Sequence, residues 1–510
     1  MTSIVDMRRS LLVVIPACLF VAACGTRLDD SAFTPTTNVV DIASGDSSVT
    51  VDAGASDVGA SAADSRGPSG PATTAAPNSG PASTGNGEVA GPAAPTEDAA
   101  DDDAGAAPNQ ASDVGVTETT IRIGNITAEN GVLGDTFAPA VQGLRAWAAH
   151  TNANGGINGR QIELFTCDDR EDRARTLECA RRLVEQDQVF ALVATNTRSM
   201  GGASQYLFEQ GIPAFGFAIN NAFARYPNFF TIYGTGYPRD GKSVGLDGRL
   251  VSRTGAYRWY RENLGVDKAA VFAYDIAESA QAGDATAEGL RAEGFEVTQY
   301  VVSFAAPSFD QGVADMQRRG TQIVFDAMDD GANRRLCDSM ARRGYEPVAK
   351  VSTVVILGER VGENYNDTCR NKIFVGTDSR PYSSDEPGVV EFRQAFARYQ
   401  PGVTLHQWAL EAWAAGNVTR DALEAMGPTP TRTGFIDFLN TMEPNTGGGI
   451  LRGVDFRPSS YDYTSPRAEH CIVVNRWLDS EGGWVRASDP FPTCIPDAKK
   501  VESTAREQGD

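Results

Sequence analysis

Small polar side chains follow three apolar, strand-like segments in the first half of the chain. They are Thr127 and Asn130 after residues 121–126, Asn196, Thr197 and Ser199 after residues 190–194, and Asn220 after residues 212–217. Hydroxyl and amide groups at the start of a helix, together with its free backbone N–H groups, can bind a carboxylate. The same residue types also cap the next helix in any α/β protein. The spacing therefore predicts a polar ligand site or a set of helix caps, and both can hold at one position.

Two further polar groups end strand-like segments in the second half of the chain. Tyr274 closes residues 269–274, and Asp329 follows residues 322–326 with Asp330 beside it. The positive end of a helix dipole stabilises carboxylates, so Asp329 and Asp330 can simply begin the next helix. From the residues alone, this acidic pair has an ordinary structural explanation.

Strands and helices must alternate to position these side chains. Residues 121–126 carry three β-branched isoleucines and lead into turn-prone residues, apolar side chains recur at helical spacing from Phe137 to Trp147, and residues 161–167 alternate as a strand. Parallel strands joined by right-handed crossovers form an open α/β sheet, and ligands lie beyond the carboxyl ends of its strands. The same pattern restarts near residue 269. The sequence therefore predicts an α/β fold with two mainly parallel sheets, each flanked by helices.

One stretch of the chain resembles a known family. It runs from residue 121 through GGINGRQIEL (155–164) and CDDREDRARTLECARRLVEQDQV (167–189). This stretch is similar to the opening of the type I extracellular solute-binding proteins, which include the leucine/isoleucine/valine and amide receptors of ABC transporters. The resemblance implies a periplasmic-binding-protein type I fold, with two lobes joined by a hinge and the ligand in the cleft between them. The implied boundaries are about 117–233 and 378–447 for lobe 1, about 234–377 and 448–490 for lobe 2, and a tail at 491–510.

The resemblance also implies a class of ligand. In amino-acid receptors of this family, an acidic group in the loop that matches Asp329 faces the ligand ammonium, and polar groups of the first lobe face its carboxylate. A zwitterion needs this opposed arrangement because a buried charge without a partner costs several kcal/mol. The chain departs from the family at residues 217–221, where many relatives have Ser-Ala-Thr, and at residues 275–279, where many have an aromatic residue. A small polar solute, such as an amino acid or amide, is therefore implied, but not specifically a branched-chain amino acid.

The first 24 residues predict where the protein acts. Arg8 and Arg9 precede an apolar run at residues 11–23, and small residues lead up to Cys24. The run is shorter than the roughly 20 residues that a membrane-spanning helix needs. This pattern is typical of a bacterial lipoprotein signal peptide, residues 1–23, that is cleaved before a lipid-modified Cys24. We therefore expect a lipid-anchored protein on the extracytoplasmic face of the cell membrane.

Residues 24–113 have the composition of a disordered tether. They are rich in Ala, Gly, Ser, Thr, Pro and Asp and show no apolar period. From residue 25 to residue 113, 14 acidic side chains stand against Arg27 and Arg66, which gives −12 of the net charge of −21. Neither this segment nor the rest of the chain has a basic stretch, so nucleic acid is not expected as a partner.

Six cysteines remain once Cys18 and Cys24 are set aside, and they allow fifteen pairings. Outside the membrane, disulfides are the expected state, and sequence neighbours that flank one strand–helix unit are easiest to join. The expected bridges are Cys167–Cys179, Cys337–Cys369 and Cys471–Cys494. Free buried thiols are the alternative. A metal site is not expected, because the chain has no CxxC motif and its three histidines are scattered.

The sequence offers little for catalysis. It has no HExxH motif, and the adjacent acids Asp168 and Asp169 are expected to be solvated. We therefore expect a binding protein without a cofactor. The first hypothesis is a monomeric receptor that closes on a small polar solute and delivers it to the permease and ATPase of an ABC importer. The second is a sensor or surface-interaction lipoprotein with the same fold.

Overall fold

The computed structural model describes residues 108–234, 237–457, 460 and 463–506. All of them belong to one compact unit of the chain. The predicted signal peptide, Cys24 and the tether up to residue 107 lie outside the described residues. The last part of the predicted tether instead packs on the domain, since Ser112 Oγ donates to Pro430 O at 2.6 Å and Asp113 Oδ2 accepts from Arg432 N at 2.7 Å. These hydrogen bonds give residues 108–113 fixed partners, which composition alone did not reveal.

The strands form two sheets. The first sheet contains β1 (Thr120–Thr127), β2 (Gln161–Asp168), β3 (Ala191–Thr195), β4 (Ala214–Gly216) and β5 (Phe229–Thr231). The second contains β6 (Arg249–Arg253), β7 (Lys268–Tyr274), β8 (Glu296–Val302), β9 (Ile323–Ala327), β10 (Ala349–Ser352), β11 (Ile373–Thr377), β12 (Arg467–Leu478), β13 (Gly483–Arg486) and β14 (Thr493–Thr504).

The first sheet is parallel throughout, with strand order β2-β1-β3-β4-β5. The second sheet has the order β6-β14-β12-β11-β10-β9-β7-β8, with β13 paired to β12. Its strands from β8 to β11 are parallel, whereas β12, β13, β14 and β6 pair in antiparallel fashion. Every residue of β3 is buried, as expected for a parallel strand covered on both faces.

Helices cover the faces of both sheets. In chain order, the α-helices of the described residues are α1 (Gly134–Ala153), α2 (Arg173–Arg181), α3 (Ser204–Glu209), α4 (Gly255–Leu264), α5 (Ala277–Ala292), α6 (Asp310–Arg319), α7 (Asp330–Arg342), α8 (Val361–Asn364), α9 (Pro387–Tyr399), α10 (Gln407–Ala425) and α11 (Arg432–Thr441). After β11, α9 and α10 pack against α1, so the chain returns to the first lobe.

The contact between α1 and α10 is unusually close. A Cβ atom at Gly143 of α1 would lie 2.0 Å from Ala409 O of α10, and a Cβ atom at Gly416 would lie 2.3 Å from the Trp147 ring. The α1 backbone at Gly143 therefore packs directly on the α10 backbone, and the Trp147 ring packs on the α10 backbone at Gly416. This contact fixes α10, the longest returning helix, to the core of the first lobe.

β6 ends at Arg253 and α4 begins at Gly255, so the two are separate elements. Residues 450–455 contain only isolated bridges, at Leu451 and Val454. One predicted segment differs from the structure. The tail predicted at 491–510 contains β14, which pairs with both β12 and β6. β14 is difficult to predict from the sequence because its composition is polar and mixed. Its pairing with two neighbouring strands holds it in the sheet.

All three predicted disulfides are present. Cys167–Cys179 lies in the first lobe, and Cys337–Cys369 and Cys471–Cys494 lie in the second. Cys471 and Cys494 are directly opposite each other on β12 and β14. Each bridge therefore joins neighbouring elements within one lobe.

Candidate functional site

A cleft of about 800 Å³ lies between the two lobes. Its walls come from the start of α1 and residues 403–406 of the first lobe, and from Tyr274, Phe304, residues 329–335 and residues 355–361 of the second. The lining combines apolar side chains, such as Leu133 and Phe304, with charged ones. Both lobes thus contribute to one cavity that mixes apolar and ionic surface.

Tyr274 and Asp329, both predicted from the sequence, line this cleft together. The Tyr274 hydroxyl donates a hydrogen bond to Asp329 Oδ2, and Asp329 Oδ1 accepts from Ala332 N at 3.1 Å as the N-cap of α7. Burial, followed by this hydrogen bond to Asp329, raises the pKa of Tyr274, so its hydroxyl keeps its proton at neutral pH. The helix-cap and cleft interpretations of Asp329 therefore hold at the same time.

The neighbouring carboxylate, Asp330, is engaged within the protein. Its Oδ1 accepts from the Tyr365 hydroxyl at 2.7 Å, and its Oδ2 lies 3.1 Å from Arg334 Nε. Burial raises the pKa of Asp330 despite these partners. Another lining acid, Glu359, accepts a hydrogen bond from Leu405 N at 3.1 Å. Most acidic groups of the cleft thus already have a donor.

Two guanidinium groups in the cleft have no ion-pair partner among the described residues. Arg335 and Arg360 line it, are exposed, and have no ion-pair partner among the residues that the structure describes. A guanidinium presents paired N–H groups that match a carboxylate in bidentate geometry. The cleft can therefore bind an anionic group on the second-lobe side. Sequence reasoning missed both arginines, although the Arg334-Arg335 pair, five and six residues after Asp329, is a usable signal.

The six polar residues predicted in the first lobe do not line this cleft. Thr127 is buried, and its Oγ1 donates to Asn125 Oδ1 at 2.9 Å. Asn130 is exposed, and its Nδ2 donates to Asp168 Oδ2 at 2.7 Å. These two side chains hold the loop that links β1 to α1.

Three more of the six organise the loops after β3 and β4. Thr197 Oγ1 accepts a hydrogen bond from Ser199 N at 3.0 Å. Asn220 Oδ1 accepts from Ala222 N at 3.0 Å, and its Nδ2 donates to Arg198 O at 3.2 Å. In the structure, these residues therefore form hydrogen bonds within turns and at the start of a helix, as the structural explanation predicts.

Asn196 differs from the other five. It is fully buried beside Thr127 at the carboxyl edge of the first sheet, and neither its Oδ1 nor its Nδ2 has a partner among the described residues. The Oγ1 atom of the preceding Thr195 is likewise unpartnered. Since almost all buried polar side-chain atoms are hydrogen-bonded, this pair marks a place where a water molecule or a ligand would supply the missing bonds.

The acidic pair Asp168 and Asp169 is not uniformly solvated, contrary to expectation. Asp169 is completely buried, and its Oδ2 accepts from the Thr176 hydroxyl at 2.8 Å. Burial raises the pKa of Asp169, while hydrogen bonds from Thr197 and Thr176 oppose that rise. The side chain is enclosed because α2 and the loop after β3 close over the end of β2, which the sequence pattern could not show.

The two lobes touch beside the cleft. The Arg198 guanidinium of the first lobe lies 5.7 Å from the centre of the Phe304 ring of the second lobe. Near the other wall, Gln407 N donates to Leu357 O at 2.9 Å. The described arrangement therefore has the lobes in contact.

None of the helices in the described part of the chain is long and apolar enough to cross a membrane. The fold and the interlobe cleft define a two-lobed solute-binding protein. Residues 120–482 match the periplasmic binding protein family, and the chain belongs to that family. The predicted family and fold class are thereby confirmed, and the family is extracytoplasmic. No curated protein sequence matches the chain.

Solved structures share the fold at low sequence identity. A substrate-binding periplasmic protein from Ralstonia solanacearum is 21% identical, with a TM-score of 0.57 over 72% of this chain and 99% of that one. A leucine-binding protein from Thermotoga maritima is 12% identical, with a TM-score of 0.55 over 72% and 97%. A solute-binding protein of an ABC transporter from Rhodopseudomonas palustris, in complex with 3,4-dihydroxybenzoic acid, is 15% identical, with a TM-score of 0.57 over 74% and 98%.

Proposed function

We propose that the protein is a lipid-anchored substrate-binding protein that captures a small polar solute outside the cytoplasm and delivers it to an ABC importer. The observation that carries this proposal is the cleft of about 800 Å³ whose walls come from both lobes. A ligand held there touches both lobes, so it stabilises the closed arrangement through its greater affinity for it. Binding and closure about a hinge are then one equilibrium.

The ligand carries a carboxylate, together with an apolar or amino part. Arg335 and Arg360 bind the carboxylate, and Tyr274 and Asp329 bind the remaining polar group. The structural relatives support this class: the Thermotoga maritima protein is named for leucine and the Rhodopseudomonas palustris protein holds 3,4-dihydroxybenzoic acid, and both compounds contain a carboxylate. An amino acid or a related carboxylic acid fits this description.

The first lobe contributes through the carboxyl edge of its sheet. Thr127, Asn130, Thr197, Ser199 and Asn220 shape the loops there, and Asn196 offers the group that lacks partners. A ligand or a bridging water that reaches the Asn196 amide would remove the cost of leaving it unpaired. This supports a binding surface that continues from the cleft toward Asn196.

Location and partners follow from the same function. A lipid on Cys24 holds the receptor at the membrane, the acidic tether lets the domain reach its target, and the permease and ATPase subunits accept the solute. The protein acts as a monomer, because each chain contains a complete cleft. No cofactor is needed for capture and release.

The test is a thermal-shift screen that uses matched acids and amides. The compounds are leucine, leucinamide, benzoate, benzamide and putrescine, each added to the full-length protein. We expect at least one acid to raise the melting temperature, because a ligand at 100 times its Kd adds about 2.7 kcal/mol of stability. The proposed ligand class is wrong if only amides or putrescine stabilise the protein, and the proposed function fails if a broader panel of solutes also has no effect.

A further inference from the structure

Among the described residues, the last strand, β14, lies beyond the family match, which ends at residue 482. β14 pairs along one edge with β12 and along the other with β6, and the Cys471–Cys494 disulfide fixes its start. A strand held on both sides and by a covalent bridge is a rigid part of the second lobe. It can therefore deliver its final residues to a defined position.

That position is the helix α5 of the second lobe. Arg506 N donates to Gln281 Oε1 at 2.7 Å. The Arg506 guanidinium also binds Asp284 Oδ2, with Nη2 at 2.5 Å and Nε at 3.2 Å. Arg506 is thus tied to two side chains of α5.

The same group of residues reaches the first lobe through Asn221. Asn221 Nδ2 donates to Arg506 O at 3.0 Å and to Gln281 Oε1 at 3.4 Å, and Gln281 Nε2 donates to Asn221 Oδ1 at 3.0 Å. Asn221 directly follows Asn220 in the loop after β4. One amide side chain of the first lobe therefore meets two residues of the second.

We propose that Arg506 and Gln281 form a latch on Asn221, which positions the loop after β4 against the second lobe and sets how long the two lobes stay closed. The three hydrogen bonds cross from one lobe to the other, so opening must break all of them. Even one bond of ordinary net strength changes the ratio of closed to open molecules about fivefold. The latch uses β14, so it is an addition to the part of the chain that defines the family.

The exposure of these residues makes the latch reversible. Asn221 and Gln281 are half-buried and Arg506 is exposed, so water can replace the broken bonds when the lobes separate. The latch therefore shifts the equilibrium between the open and closed forms toward the closed form, and the shift is reversible.

The test measures the distance between the lobes in the full-length protein without ligand. Spin labels are attached to cysteines placed at exposed Glu178 in α2 and Glu262 in α4, and the distance distribution is recorded by double electron–electron resonance. We expect Asn221→Ala to raise the open population relative to the closed one at least about fivefold. Removal of the residues after Thr504 should have the same effect.

The control is Arg249→Ala, which breaks the exposed ion pair between Arg249 of β6 and Glu502 of β14 within the second lobe. It should leave the distance distribution unchanged, and all three variants should melt within a few degrees of the parent. The latch is refuted if Asn221→Ala and the truncation keep the parent distribution, or if Arg249→Ala shifts it equally. Since no ligand is used, this outcome is independent of the solute screen.

Discussion

Arg452 forms an ion pair with Asp378 at the place where the connections between the two lobes meet. Its backbone N–H also donates to Asp378 O at 2.8 Å, and its Nη2 donates to Tyr233 O at 3.3 Å. Tyr233 follows β5, Asp378 follows β11 and Arg452 precedes β12. The Arg452 side chain therefore contacts the other two segments that connect the lobes. A rotation of the lobes about this point preserves these bonds, whereas a simple separation would break them.

A buried carboxyl lies beside this junction. Ser379 Oγ donates to Glu411 Oε1 of α10 at 2.6 Å, and Glu411 is only 1% exposed. Burial, reinforced by the nearby charge of Asp378, raises the pKa of Glu411 to about 8, although hydrogen bonds from Ser379 and Tyr233 oppose the rise. Glu411 is therefore protonated at neutral pH.

The first prediction concerns the pH dependence of stability. The folded pKa of Glu411 lies above its unfolded value, so the folded state binds the extra proton and loses this stabilisation as the pH rises from about 4.5 to about 8. Each unit of pKa difference corresponds to roughly 1.4 kcal/mol. Glu411→Gln should flatten this decline in urea unfolding, and Glu424→Gln, an exposed position on the same helix, should not. Equal pH profiles for the parent and Glu411→Gln would contradict the assignment.

The second prediction tests the charge of Asp329. Asparagine caps a helix about as well as aspartate does, so Asp329→Asn should preserve the start of α7 and remove only the negative charge. If this charge faces a ligand ammonium, affinity for amino compounds should fall by more than affinity for the matching compounds that lack the amino group. Isothermal titration with leucine and its des-amino analogue measures the difference. An equal loss for both would show that Asp329 acts through Tyr274 or the helix cap.

The third prediction tests the arginines of the cleft. Arg335→Ala and Arg360→Ala should each weaken binding of a carboxylate ligand by about tenfold or more, since a charge-assisted hydrogen bond contributes about 1.5–3 kcal/mol. Arg291→Ala, on the outside of α5 and paired with Glu288, is the control and should have no effect. Titration of whichever acid stabilises the protein provides the measurement. Unchanged affinity in both cleft variants would place the carboxylate elsewhere.

The fourth prediction concerns the core of the second lobe. Lys350 Nζ binds Asp326 and donates to Asn333 Oδ1 at 2.5 Å, with both charged side chains at most 1% exposed. Removing one member leaves the other buried and uncompensated, so Lys350→Met should destabilise the protein by about 3–5 kcal/mol. Adding Asp326→Asn should restore part of that loss. Urea unfolding of the single and double variants gives the answer, and a single-variant loss below about 1 kcal/mol would contradict it.

The fifth prediction concerns the anchor. Cys24→Ser should abolish incorporation of labelled fatty acid and release the protein from the membrane fraction, because its thiol is the proposed attachment point. Cys18→Ser, inside the segment that is removed, should leave labelling intact. Labelled Cys24→Ser protein would refute lipid attachment at this position.

The sequence predicted those features that depend on local pattern. Isoleucines mark β1, and a continuous apolar run marks β3. Tyr274 ends one strand and Asp329 follows another, and the carboxyl ends of parallel strands meet at one edge of the sheet, where both side chains line the cleft. The burial of Asp169 and the partnerless amide of Asn196 depend on which loops fold over the sheet edge. The pattern along the chain does not encode that tertiary relationship. The same limit explains why β14 was taken for a tail.

The three disulfides of the described residues each stay inside one lobe. Disulfide formation therefore stabilises each lobe separately. The relative movement of the lobes is restrained instead by hydrogen bonds and the Arg452–Asp378 ion pair. A reducing agent should lower the resistance of each lobe to heat or protease while the opening and closing rates stay nearly the same. Durability in the cell envelope and speed of capture can thus evolve independently in this molecule.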